Sequence, residues 1–112
     1  MLRADGADLA AAVEPAHIAA ALLQNGLTQR DLARAAGVSS EAVRGWLDGV
    51  VAVGQHEAVL QSLRRTALML PPGRIGRWFR SPHPQLGGRR PLDVIGGDPA
   101  AVAGAATAGR SR

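Results

Sequence analysis

Hydrophobic residues recur at intervals of three and four positions through most of this chain, which is the period of an amphipathic helix. One such face runs over residues 16–23 and stops at Asn25-Gly26, a pair typical of helix C-termini. A longer face runs over residues 59–70 and stops at Pro71-Pro72, where a helix does not readily continue. The pattern predicts an all-α fold, which suits a core built from Ala, Leu and Val with few aromatic residues.

Polar and backbone-restricting residues mark where the helices should begin and end. Thr28 is followed three positions later by Asp31, a variant of the capping box, and Gly37 ends that helix. Ser39 predicts the start of the next helix. Prolines at positions 72, 91 and 99 each suit the first turn of a further helix, and Asp98 is placed to cap the last one. The chain is thus predicted to be a series of short helices joined by tight turns.

Residues 27–49 read LTQRDLARAAGVSSEAVRGWLDG and are similar to the helix-turn-helix of Xre-type regulators over the whole segment. Ala33 is small where the two helices would touch, and Gly37 supplies the tight turn between them. Three apolar residues would fill the angle between the helices: Val38, Val43 and Trp46. The second helix would then stand clear of the rest of the protein, in a position to enter a major groove.

The residues predicted to contact DNA are Gln29, Ser39, Ser40, Glu41 and Arg44. The first 56 residues carry four arginines and six acids, a net charge of −2, which supplies little of the attraction to phosphate that dominates DNA affinity. Packing alone would also account for the apolar residues of the motif. DNA binding and a purely structural role therefore both stay open at this level.

Residues 78–95 read WFRSPHPQLGGRRPLDVI and combine two aromatic residues, three prolines, a Gly-Gly pair and three arginines. So many residues that restrict the backbone indicate one set shape and argue against a flexible linker. Trp78 and Phe79 would seat a helix, Leu86 would return to the core, and Gly87-Gly88 would allow a turn that other residues resist. The alternative is plain core packing without a partner.

This segment resembles the C-terminal signature of the Xre/MbcA/ParS antitoxin family, and the similarity extends over roughly residues 59–108. The family usually has Asn between the two prolines of its turn, where this chain has His83, whose imidazole can make some of the same hydrogen bonds. The resemblance implies a type II antitoxin whose partner is a RES-domain or ParT-like toxin that consumes NAD or transfers ADP-ribose. It also implies that the C-terminal segment blocks the active site of the toxin, and that the N-terminal half often binds promoter DNA.

Carried onto this chain, the resemblance predicts a toxin-binding surface and a short plug. The residues expected to bind toxin are Trp78, Arg80, His83, Leu86, Arg89, Arg90, Arg110 and Arg112. Residues 108–112 are expected to form an extended Gly/Arg tail that enters the cleft of the toxin. The second half holds nine arginines and three acids, a net charge of +6, so an anionic partner is expected there. A dimer or a larger hetero-oligomer with toxin is expected.

Length predicts one domain, or two very small ones that share a core, with the division at residues 1–54 and 55–112. Cys is absent and the three histidines are far apart, so neither a metal site nor a cofactor is expected. No nucleophile lies near a base and no carboxylates are paired, which argues against an enzyme. No run of eighteen apolar residues occurs, and the first twelve residues carry acids, so no membrane span or secretory signal is expected and a cytoplasmic location is predicted.

The main rival interpretation is a stand-alone Xre-like transcriptional repressor whose second half serves only for dimerisation. The charge of the first half argues mildly against it, and the similarity of residues 78–95 argues more strongly.

Overall fold

The computed structural model describes the backbone of residues 6–110 and the side chains of residues 9–108. Within that range the chain forms eight α-helices and no strand, so the predicted all-α fold is confirmed. The helices are α1 (Gly6–Ala11), α2 (Pro15–Gln24), α3 (Gln29–Ala36), α4 (Ser40–Leu47), α5 (Glu57–Ala67), α6 (Ile75–Arg80), α7 (Pro91–Val94) and α8 (Pro99–Arg110). Short 3-10 turns lead into α5 and α6 and lie in the loop between α6 and α7.

The capping residues act as the sequence predicts. The Thr28 hydroxyl accepts from the Asp31 N–H at 3.1 Å, and the Asp31 carboxylate accepts from the Thr28 N–H at 2.9 Å, so the capping box of α3 is complete. Gly37 ends α3 at a φ of 73°, the left-handed conformation in which glycine costs least. The Ser39 hydroxyl accepts from the Ala42 N–H at 3.1 Å and caps α4. Local chemistry therefore defines the α3–α4 pair.

The last helix is longer than the sequence predicts. Asp98 caps α8 through a 3.1 Å hydrogen bond from the Ala101 N–H, and Pro99 occupies its first position. The helix then continues to Arg110. The prediction of an extended segment from residue 108 is thus wrong for residues 108–110, because a single glycine costs only about 1 kcal/mol in an Ala-rich helix. Residues 111 and 112, the rest of that predicted tail, lie outside the described range.

One continuous hydrophobic core joins the two halves of the chain. Its fully buried side chains come from both halves and include Leu22, Trp46, Leu60, Phe79 and Val102. Helix α5 packs against α2 and α3 on one side and against α8 on the other. The predicted division at residues 54 and 55 therefore falls between segments that share a core, and it stays a prediction.

Two glycines let backbone from the second half come close to the first. A Cβ at Gly76, in α6, would overlap the carbonyl oxygen of Gly26. A Cβ at Gly96, just after α7, would lie 2.7 Å from the carbonyl oxygen of Ala35. Any larger residue at either position would separate α3 from the helices of the second half.

Ion pairs reinforce that contact on the polar side of α3. Arg80 donates to the Asp31 carboxylate at 2.6 Å and to the Gly26 carbonyl at 3.2 Å. The carboxylate of Asp93 lies between two guanidinium groups, 2.5 Å from Nε of Arg34 and 2.9 Å from Nε of Arg90. Hydrogen bonds from Arg90 and Arg34 lower the pKa of Asp93 from 3.8 to about 2, and the same carboxylate raises the pKa of Arg90. The α3 helix is thus tied to both α6 and α7.

The two aromatic residues of α6 are not equally buried. Phe79 is fully buried, whereas Trp78 is only partly buried and packs at the edge of the core, with its ring centroid 5.2 Å from that of Phe79. The expectation that Trp78 and Phe79 both anchor the helix therefore holds in full for Phe79 alone. Helix geometry gives the reason, because adjacent residues point about 100° apart, and here Phe79 takes the centre of the buried face and Trp78 its edge.

Phe79→Ala should destabilise the protein by about 3–5 kcal/mol, because it removes a fully buried ring and leaves a cavity. Trp78→Ala should cost roughly half as much, since less apolar surface leaves the core. Phe79→Leu, which keeps much of the volume, should cost less than Phe79→Ala. Urea unfolding followed by circular dichroism measures all three, and a larger loss for Trp78→Ala than for Phe79→Ala would contradict this assignment of the core.

Asp93 should stabilise the fold above its unfolded-state pKa and lose that effect in acid. The pKa of its carboxyl is lower in the folded state, so the unfolded chain takes up the proton first as the pH falls from 3.8 towards 2. Asp93→Asn should lower the free energy of unfolding at neutral pH, and its difference from wild type should shrink below about pH 4. Asp48→Asn is the control, because that carboxylate makes no ion pair with any described residue. A difference that stays constant with pH would contradict the prediction.

Candidate functional site

The α3–α4 pair presents a polar face opposite its buried one. Val43 and Trp46 of α4 are buried, which leaves the other side of that helix to solvent. Of the residues predicted to contact DNA, four are exposed and Gln29 is partly buried; the exposed ones are Ser39, Ser40, Glu41 and Arg44. Four of the five belong to the first turns of α3 and α4 or to the turn between these helices, and Arg44 lies in the second turn of α4. The structure thus places them on the ends of two adjacent helices.

Not every one of these side chains is equally available. The Ser39 hydroxyl already accepts the Ala42 N–H, so one of its two lone pairs is occupied and its side chain is held at the helix start. The guanidinium of Arg44 makes no hydrogen bond or ion pair with another described residue. Arg44 is therefore an exposed cation of this face that is available to bind a partner.

In the second half, the loop between α6 and α7 folds into one compact turn around His83. Its N–H donates to the Arg89 carbonyl at 3.1 Å, and its own carbonyl accepts from Leu86 and Gly88, both at 3.0 Å. Nδ1 of His83 accepts from the Gln85 N–H at 3.1 Å, so the imidazole does make the turn hydrogen bond that the sequence predicts. Leu86 is buried, as predicted, and Gly87 and Gly88 take positive φ values of 68° and 82°.

This turn brings several of the predicted toxin-binding residues together. The ring of His83 lies 5.7 Å from that of Trp78, edge to face, so the partly exposed indole and the imidazole form one surface. Arg89 is paired with His83 across the turn, and Arg90 follows directly. Leu86 lies beneath the turn and is 8% exposed, so its part is to support the surface.

Several of the predicted toxin-binding arginines make contacts with residues outside the turn. Arg80 points towards α3, where it pairs with Asp31, although 42% of its side chain stays exposed. Arg90 is turned towards Asp93, and Arg89 reaches the Asp93 carbonyl at 3.5 Å. The backbone of Arg110 ends α8, but its side chain and the whole of Arg112 lie outside the described range.

Asp31 and Asp93 join the two halves of the chain, a role that the sequence does not suggest. Both read as helix-start acids, and Asp31 does complete a capping box, yet each also accepts an arginine from the other half of the chain. The spacing of Arg90 and Asp93, three apart at the start of a helix, was the one available signal. Nothing in the sequence marks the pairs of Asp31 with Arg80 or of Arg34 with Asp93, which are 49 and 59 residues apart.

Among the described residues, no group of three or more His, Cys, Asp or Glu side chains is placed to hold a metal ion. None of the helices in the described part of the chain is long and apolar enough to span a bilayer.

Comparisons with known proteins agree with the geometry of the second half. Residues 71–107 match the family profile of the antitoxin Xre/MbcA/ParS C-terminal toxin-binding domain. A protein of Mycobacterium tuberculosis, named a probable mycobacterial cidal antitoxin, is 36% identical to this chain over 91 residues, which are 78% of this chain and 78% of that protein. No solved structure matches the chain. The profile match contains α6, the whole His83 turn and α7, and the similarity to the mycobacterial protein covers more of the chain than the profile does. The chain therefore belongs to the Xre/MbcA/ParS antitoxin family.

Proposed function

We propose that this protein is the antitoxin of a type II toxin–antitoxin pair and that it inhibits a RES-domain or ParT-like toxin by direct binding. The toxin would consume NAD or transfer ADP-ribose, and both proteins would act in the cytoplasm. The observation that carries the proposal is the match of residues 71–107 to a toxin-binding domain, on a segment that folds into a defined surface. The proposal assigns no catalytic step to this chain, in keeping with its membership of an antitoxin family.

The toxin-binding surface is proposed to centre on Trp78, His83, Arg89 and Arg90. Partly exposed Trp and Arg side chains are the types that most often dominate the affinity of protein interfaces. The His83 turn is held by backbone hydrogen bonds, so little conformational entropy is lost when a partner binds it. The arginines at its edge suit acidic side chains on the toxin.

The plug is proposed to be the end of α8, with the arginines at positions 110 and 112. The helix runs to residue 110, so the plug would project into the cleft as a helix end. A helix C-terminus favours cations, which agrees with arginines at this end. Their guanidinium groups would pair with carboxylates of the active site or with groups that normally bind phosphate.

The α3–α4 pair is proposed to be a helix-turn-helix that binds promoter DNA of the same operon. Supporting observations are the tight turn at Gly37 and the exposed residues at the start of α4. One copy carries little positive charge on this part, so we propose that a dimer or a hetero-oligomer with toxin presents two such pairs to DNA at once. A stand-alone repressor is the rival function, and it predicts that no toxin co-purifies.

The plug can be tested with the double variant Arg110→Ala, Arg112→Ala. Toxin activity, measured as NAD consumption by the cognate toxin, should return although the thermal stability of the antitoxin is unchanged. The matched control is Arg65→Ala, Arg74→Ala, which removes the same charge from two exposed arginines of the second half. A pull-down of toxin by each variant separates docking from blocking. If the double variant still silences the toxin, inhibition comes from the His83 turn.

The DNA proposal is tested by Arg44→Ala. If Arg44 reads a base, affinity for the promoter should fall by about 1–3 kcal/mol while the melting temperature stays the same. Arg77→Ala is the control, since it also removes one exposed arginine but lies on α6. Electrophoretic mobility shift or anisotropy titration gives the affinities. Equal affinities for wild type and both variants would make the α3–α4 pair structural only.

A further inference from the structure

A groove runs between the α3–α4 pair and α7. It is lined by Arg30, Asp31, Ala33 and Arg34 of α3, by Val38 and Ser40 at the turn into α4, and by Arg90 and Leu92 at the start of α7. The two halves of the chain therefore build it together. It borders the first residue of α4, the helix proposed to read DNA.

The exposed charge of this groove is positive. Its arginines are at positions 30, 34 and 90, and its one carboxylate is that of Asp31. Asp31 and Asp93, the ion-pair partners of these and neighbouring arginines, are less exposed than the cations that pair with them. Arg34 is 58% exposed against 28% for Asp93, and Arg80 is 42% exposed against 10% for Asp31. Arg30 is exposed and makes no ion pair with any described residue. The lining residues and their ion-pair partners Arg80 and Asp93 together hold four guanidinium groups and two carboxylates, a net charge of +2.

The ion pairs with Asp93 also restrain the orientation of two of these arginines, Arg34 and Arg90. Asp93 accepts from Arg34 at 2.5 Å and from both Nε and a terminal nitrogen of Arg90, at 2.9 and 3.2 Å. A bidentate contact holds a guanidinium in one plane and orients its remaining N–H groups. Arg90 is thus held in one orientation, and Arg34 is bridged to it across the groove by Asp93, before any partner arrives, which lowers the entropy cost of binding.

A helix that enters a major groove has a phosphate backbone on each side of it, and contacts to those phosphates set its orientation. The groove lies beside the start of α4, and helix N-termini themselves favour negative charge. We propose that Arg30, Arg34 and Arg90 bind the phosphates of one DNA strand alongside α4, so that the DNA-binding surface includes the second half of the chain. This inference rests on the proposed promoter binding and extends it to residues outside the α3–α4 pair.

The proposal adds a cation from the second half to a DNA-binding part that is poor in positive charge. Arg30 and Arg34 lie in the first 56 residues, which carry a net charge of −2, whereas nine of the thirteen arginines lie after residue 57. Arg90 brings one of them to the edge of α4. Arg90 would then contact DNA as well as border the proposed toxin-binding surface, with Asp93 as its positioning residue.

The test is the salt dependence of binding to the operon's promoter duplex, measured for the full chain alone and in complex with its toxin. Arg30→Ala and Arg90→Ala should each reduce the slope of log K against log salt by about 0.9, the value for one lost phosphate contact. Affinity should fall for promoter and for unrelated duplex by the same factor, because phosphate contacts carry no sequence information. Arg77→Ala, with the same loss of charge on an exposed residue outside the groove, should leave the slope unchanged.

Two variants separate a direct effect on DNA binding from an indirect effect on the fold. The Arg30 side chain makes no hydrogen bond or ion pair with another described residue, so Arg30→Ala breaks no polar contact. Arg90→Lys keeps the cation while removing the bidentate pair, so it should recover most of the slope. Unchanged slopes for Arg30→Ala and Arg90→Ala, together with weaker promoter binding by Arg44→Ala, would overturn the groove proposal and leave the DNA function standing. No binding of wild type to the promoter, with or without toxin, would overturn both.

Discussion

Helix α3 packs against α4 on one side and against α7 on the other, and its polar face is bound by two ion pairs from the second half of the chain. Asp31 is 7% exposed, and a carboxylate buried to that degree is costly unless a cation and hydrogen bonds compensate it. Arg80 and the Thr28 N–H supply that compensation. The position of α3, and with it that of α4, therefore depends on α6.

The short helix α6 both anchors the second half of the chain to the first and presents the proposed toxin-binding surface. Phe79 is fully buried, Arg80 reaches across to α3, and Trp78 stays partly exposed beside His83. The segment that anchors the second half to the first is thus the same segment that presents the proposed toxin-binding surface. A partner that binds Trp78 and His83 would contact α6 directly. Because Arg80 of the same helix pairs with Asp31, that partner would also be connected to α3.

The arginines of the second half divide into structural and available ones. Arg64 donates to the carbonyls of Leu9 and Ala10, and so ties α1 to α5. Arg80 and Arg90 are paired with carboxylates, although both keep a third or more of the side chain exposed. A count of charges along the chain therefore overstates the cations free to bind a partner. The geometry of the carboxylates decides where the remaining positive charge is exposed.

The sequence by itself determined the elements whose signals are local. The cap at Thr28, the turn at Gly37, the cap at Ser39 and the His83 turn all depend on residues within a few positions, so their types and spacing were sufficient. The family followed as well, because residues 78–95 carry most of its signature. Only the tertiary structure decided which of Trp78 and Phe79 faces the core and which carboxylate each arginine meets. Those choices depend on contacts between residues some 50 positions apart, which the helix period does not encode, since burial and pairing are settled when the helices pack.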